Sequence, residues 1–118
     1  MKINVRSDDG VLVRLESEGE IRLSDMGRDG NPIESALGRE GFGKKVLLDL
    51  QKTPYIDSSG VALLIRCHKR CQDAGGQLIM HSIPPSIMQI LKLLHMERHL
   101  HLVRDEESAK SLALGEQS

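Results

Sequence analysis

Apolar residues change their spacing along the chain, and each change marks an element. Lys2 to Arg6 and Val11 to Glu16 alternate apolar with polar positions, the period of a strand with one buried face. Between them Ser7-Asp8-Asp9-Gly10 ends in a residue free to take the positive φ of a tight turn, so a β-hairpin is expected. Ile21-Arg22-Leu23 is expected to prolong the second strand past Glu18-Gly19-Glu20 until Ser24-Asp25 breaks it. Asn31-Pro32-Ile33-Glu34 has the order of a cap, a first-turn proline and a capping acid, and predicts a short helix reaching Leu37 or Glu40.

The run Val46-Leu47-Leu48-Asp49-Leu50 within Lys44 to Leu50 is dense enough for a central strand covered on at least one face, followed by a loop from Gln51 to Ile56. From Ser59 onward Val61, Leu64, Ile65, His68 and Cys71 recur at helical spacing, while Arg66, Lys69, Arg70 and Asp73 fall elsewhere. Ala74-Gly75-Gly76 closes that amphipathic helix. Gln77 to Ile83 reads as a strand, and Pro84-Pro85-Ser86 opens a helix with Ile87, Ile90, Leu91 and Leu94 as its buried stripe. Leu100 to Val103 is a last short strand and Glu107 to Leu114 a last short helix, with a frayed tail from about residue 115. Strands alternating with helices imply parallel pairs joined by right-handed crossovers. The expectation is an α/β fold: one domain over residues 1–118, with a mixed sheet of four to five strands and helices packed mainly on one face.

Composition narrows the function. The chain is 39% hydrophobic, yet it has one Phe, one Tyr and no Trp, so the core must be aliphatic and stacking on bases is a poor mechanism for it. Sixteen basic and 17 acidic residues give a formal charge of -1, with no general attraction to nucleic acid or anionic lipid. No apolar run is long enough for a spanning helix, and Met1 to Arg6 lacks the core of a signal peptide, so a cytoplasmic protein is expected. Cys67 and Cys71 lie four apart on a helix with side chains poorly aimed for a bridge, which suits reduced thiols.

Candidate chemistry concentrates at Tyr55-Ile56-Asp57-Ser58-Ser59-Gly60, between the central strand and the strongest helix. An Asp or Ser there caps the helix, and a phosphate on such a serine would meet unpaired amides and the positive end of the helix dipole. That phosphate adds roughly -1.5 to -2 charges beside Asp57, enough to change what the surface accepts. A hydrolase is disfavoured, because the G-x-S-x-G pattern is missing at the serine turn and no His and acid partners are evident. Gly38 to Lys44 lacks the spacing of a phosphate-binding loop. Cys67, His68, Cys71, His95, His99 and His101 do not follow structural-zinc or H-E-x-x-H spacing, and His68 is expected to be a half-buried, satisfied side chain. No enzyme activity, metal or cofactor is expected.

The order of pieces over most of the chain resembles the STAS domains of the anti-sigma factor antagonist family. The hairpin through Leu23, the strand Val46 to Leu50, the Asp57-Ser58-Ser59-Gly60 turn, the helix Val61 to Ala74, Gly75-Gly76-Gln77-Leu78, Ser82 to Leu94 and Leu100 to Leu114 carry the resemblance. It implies that Ser59, the second serine of the turn, is phosphorylated. It further implies that Tyr55, Asp57, Ser58, Ser59 and Gly60 border the surface binding an anti-sigma factor that is also a serine kinase. The unmodified form would then bind, and the phosphorylated form let go. Arg22 stands where such domains often carry an acid, with Asp25 nearby as a substitute, so a phosphate on Ser59 either ejects the partner or is ordered by Arg22. The alternative within the same fold is a scaffold subunit of a larger signalling complex whose Ser59 is never modified.

Overall fold

A computed structural model describes residues 1–22 and 31–115. In chain order the elements are β1 (Lys2–Asp8), β2 (Leu12–Glu18), α1 (Pro32–Gly41), β3 (Lys45–Lys52), α2 (Ser58–Asp73), β4 (Gln77–His81), α3 (Pro85–Leu93), a 3-10 turn (Met96–Arg98), β5 (His101–Leu102) and α4 (Glu106–Ala113). The strands form one sheet in the order β1-β2-β3-β4-β5. β1 and β2 are antiparallel, and every later pair is parallel.

Register decides which face each apolar residue joins. Leu15 pairs with Leu48, and Leu48 with Met80, so residues of that parity form one continuous face. Val13, Leu15, Val46, Leu48, Leu50, Leu78 and Met80 are buried there beneath Ile33 of α1, Leu63 and Leu64 of α2, and Ile87 and Leu91 of α3. Leu47 and Ile79 have the opposite parity and meet Ala109 and Ala113 of α4. Three helices therefore cover one face and α4 covers part of the other. Each large aliphatic side chain taken from water in this way contributes on the order of 1.5–3 kcal/mol, and the ring of Phe42, also buried, joins the same cluster.

Local chemistry sets the helix ends. The Asn31 side chain accepts from the Glu34 amide at 3.0 Å and donates to the Glu34 carboxylate at 2.7 Å, a reciprocal cap. α1 is regular through Leu37, leaves helical geometry at Gly38 (φ 65) and ends at Gly41. α2 closes with the Gly76 amide donating to the Cys71 carbonyl at 2.8 Å and the Gly75 amide to that of Gln72 at 3.1 Å, the paired bonds of a Schellman motif. A Cβ on Gly76 would overlap the carbonyl oxygens of Phe42 and Lys44, so this glycine lets β4 start tight against the entry to β3. Asp105 caps α4 by accepting from the Ser108 amide at 2.8 Å.

Several boundaries differ from the sequence reading, beginning with β1, which pairs through Ser7 and Asp8 where a turn was expected. β2 ends at Glu18, and Ile21 makes an isolated parallel bridge to Ile56 instead of prolonging the hairpin. Gly19, at φ 84, redirects the chain there, and its amide donates to the Lys52 carbonyl at 3.0 Å. That same pairing carries β3 to Lys52, two residues into the expected loop. β4 stops at His81 because Ser82 takes a left-handed conformation (φ 54). Leu94 is 44% exposed, since α3 ends there before left-handed His95 (φ 57) turns the chain away from the core. The break expected at Ser24-Asp25, with Leu23 before it, and the tail beyond Gly115 lie outside the described residues.

Candidate functional site: the serine turn at the start of α2

After β3 the chain is held to the segment that follows β2. The Thr53 amide donates to the Leu50 carbonyl at 3.0 Å, and its hydroxyl reaches the Ser17 carbonyl at 3.4 Å; Thr53 is buried. The Ile21 amide then donates to the Tyr55 carbonyl at 3.0 Å, and the Asp57 amide donates back to the Ile21 carbonyl at 3.3 Å. Ile21 and Ile56 are fully buried beneath this bridge. Two segments 35 positions apart in sequence thus meet where α2 begins.

Asp57 is the N-cap of α2, and its carboxylate accepts from the Gly60 amide at 2.7 Å. Gly60 packs under the first turn, where an added Cβ would lie 2.6 Å from the Ile21 carbonyl oxygen and 2.6 Å from Ile56 Cγ1. Only a residue without a side chain allows the helix to start this close to the bridge. Tyr55 and Ser58 are exposed, Asp57 and Ser59 half-buried, and Gly60 buried. The structure therefore brings the five singled-out residues into one ridge, with Tyr55, Asp57, Ser58 and Ser59 at its surface and Gly60 as its support.

The ridge sets the positive end of the α2 dipole beside the carboxylate of its own cap. Ser58 and Ser59 occupy the first helical positions, where amides have no intrahelical acceptor, and the first turn contains no acidic residue after the cap. Arg22 directly follows the clamped Ile21, is exposed, and forms an ion pair with Glu20. Asp25 lies outside the described residues.

The remaining candidate side chains have structural surroundings. Cys67 and Cys71 are unbridged and buried, and burial pushes both thiols up to about 11, which suppresses thiolate chemistry. Cys67 Sγ also lies 3.7 Å from the Asn31 amide nitrogen. His68 is not the half-buried, satisfied residue expected. It is 5% exposed, its Nδ1 has no hydrogen-bond partner, and its ring meets that of His101 edge-on at 5.3 Å. Among the described residues no group of three or more His, Cys, Asp or Glu side chains is placed to hold a metal ion.

Sequence reasoning missed the pairing of Ile21 with Ile56 and the contact of buried Thr53 with the Ser17 carbonyl. The only trace they leave is the glycine at position 60, at a place where a helix ordinarily prefers another residue. Glu34 was read only as the capping acid of α1; its carboxylate also pairs with Arg66 at 3.2 Å and with Arg70, neutralising part of the outer face of α2 and tying it to α1. Arg70 in addition lies 4.2 Å from the centre of the Phe42 ring.

A mixed sheet of this order, with a capped serine turn feeding its longest helix, defines a class of small α/β domain. The family model of the STAS domain matches residues 3–109, and the chain belongs to that family. It is 24% identical over 110 residues to an anti-sigma F factor antagonist of Paenibacillus polymyxa, covering 92% of each chain. Its fold is similar to the crystal structure of a candidate anti-sigma factor antagonist of Thermotoga maritima, with TM-score 0.80, 18% identity and coverage of 95% of this chain and 94% of the other. It is also similar to the anti-sigma factor antagonist SpoIIAA in its unphosphorylated form, with TM-score 0.71, 14% identity and coverage of 98% and 99%.

Proposed function

We propose that the chain is an anti-sigma factor antagonist: a non-catalytic cytoplasmic regulator whose unmodified form binds an anti-sigma factor that is also a serine kinase, and whose phosphorylation at Ser59 releases it. The observation that carries this reading is the construction of the α2 start. Asp57 caps the helix, the Ile21–Ile56 bridge anchors it from beneath, and Ser59 is left at the surface in the first turn. A phosphate there gains from the free amides and the helix dipole, so the modified chain keeps its fold. The same phosphate presents about -1.5 to -2 charges to a partner matched to a neutral hydroxyl. Partner release then follows from charge on an intact surface rather than from unfolding. Related SpoIIAA has been solved in both unphosphorylated and phosphorylated forms, which supports a fold that tolerates the modification. Tyr55, Asp57, Ser58, Ser59 and Gly60 are the residues assigned to the partner surface, and no described helix is long and apolar enough to cross a membrane.

The test is partner capture with purified protein from lysate of the source organism, with and without ATP. Unmodified protein and Ser59→Ala are expected to retain a small ATP-binding kinase, Ser59→Asp to lose it, and ATP to add one phosphate to the wild type and to Ser58→Ala but none to Ser59→Ala. Capture of the same large assembly by all forms, with no phosphate gained, would replace this reading with that of a scaffold subunit.

A further inference from the structure

A cavity of about 490 Å³ opens between the C-terminal half of α2 and the 3-10 turn before β5. Its floor is formed by buried His68 and half-buried Ile65 and Met96. Its rim carries Lys69, Gln72, Arg98 and His99, all exposed. Among the described residues no acid lines it: Glu97 of the same turn lines a different cavity, with Met88 and Lys92.

Three features separate this place from an ordinary basic surface. First, Arg66 and Arg70 on the adjoining part of α2 are paired with Glu34, whereas among the described residues Lys69 and Arg98 have no carboxylate within ion-pair distance. Second, the floor is apolar where it is open, at half-buried Ile65 and Met96, and the Nδ1 of His68 lies buried beneath it. Third, the wall is rigidly built. The Leu100 amide donates to the Met96 carbonyl at 2.8 Å, that of His99 to the same carbonyl at 2.9 Å, and buried Leu100 pins the turn to the core.

The geometry points to a binding site for a small organic phosphate monoester, with its phosphate at the Lys69–Arg98 rim and its apolar body on Ile65 and Met96. Lys69 and Arg98, with the His99 imidazole and the Gln72 amide beside them on the rim, suit a dianion better than a carboxylate, which carries one charge and two oxygens. The volume falls within the range of small-molecule sites, and the apolar floor gives an organic body an advantage over a bare ion. Lys69 lies ten positions along α2 from Ser59, about 15 Å at the helical rise. The site is therefore distinct from the serine turn and does not depend on the function proposed for it.

The experiment titrates the full chain with phenyl phosphate, followed by calorimetry and by backbone amide shifts, with inorganic phosphate and benzoate as parallel probes. Saturable one-to-one binding of phenyl phosphate is expected, with shifts centred on residues 65–72 and 96–99. Inorganic phosphate and benzoate are each expected to bind about tenfold or more weaker. The exposed-residue variants Lys69→Gln and Arg98→Gln should each weaken phenyl phosphate by about tenfold with an unchanged melting temperature, and Ser59→Ala should bind as the wild type does. Absence of saturable binding, shifts centred elsewhere, or binding indifferent to both rim substitutions would overturn the proposal. Equal affinity for inorganic phosphate or for benzoate would overturn the assignment to an organic phosphate.

Discussion

Gly60 shows how one residue serves both helix and site. In an exposed helix interior, replacing glycine by alanine gains up to about 1 kcal/mol from backbone entropy. Here the new methyl group would enter the Ile21 carbonyl oxygen and Ile56 Cγ1, so Gly60→Ala is expected to destabilise by about 1–3 kcal/mol, the usual cost of forced overpacking. Urea unfolding measures it, and the sign is decisive: a stabilised variant would mean that α2 starts without leaning on the bridge. The Asp57 cap, by contrast, was legible in the sequence, because a cap acts within three residues and leaves its pattern there. The contact of Gly60 with Ile21 spans 39 positions and leaves only a glycine. His68 misled for the same reason, since its stripe position says that it faces inward but not whether a partner waits there.

Elements were read well wherever their signal was local. Asn31-Pro32-Ile33-Glu34 placed the start of α1, and Ala74-Gly75-Gly76 the end of α2, because both are hydrogen-bond devices written in adjacent residues. Strand ends were read less well. Whether β3 stops at Leu50 or Lys52 depends on Glu18 across the ladder, and whether Ile21 belongs to β2 depends on Ile56. Among the described residues the back face of the sheet rests on one helix, α4, which is seated by Ala109 and Ala113 on Leu47 and Ile79 and by Arg14 donating to Glu106 at 2.6 Å. Ala109→Leu is therefore expected to lift α4, costing about 1–3 kcal/mol. Amide exchange in α4 should quicken well beyond any change in α2, whose contacts lie on the other face. Equal quickening of both helices would show that the two faces unfold as one unit.

Stability of the whole molecule should carry a histidine signature. Burial holds the His68 imidazole below its usual range, with His101 adding to the effect, and burial also lowers His81 despite the nearby carboxylates of Asp49, Glu106 and Asp105. The native state thus keeps both rings neutral, while the unfolded chain takes up protons near pH 6.5. Their contribution is fully present above that value and is lost as pH falls below it toward the lowered native values. Urea unfolding free energy should decline from pH 7 to pH 5, above the range of most carboxylates, and the decline should shrink in His68→Gln and in His81→Gln. A flat profile over that interval in the wild type would mean that both rings protonate freely in the folded state.

The sequence by itself determined the main helices and strands, the caps of α1 and α2, a central strand covered on at least one face and the serine turn, because periodicity and capping operate over a few residues and leave their record in order and spacing. It also carried the STAS resemblance, spread over nearly all elements. Only the tertiary structure decided that Ile21 returns to clamp Ile56, that Gly60 is required by that clamp, that α4 covers Leu47 and Ile79, and that His68, Lys69 and Arg98 share one cavity. These are contacts between segments far apart in the chain. Their partners are selected by packing of the finished core, and no short window of residues records that selection.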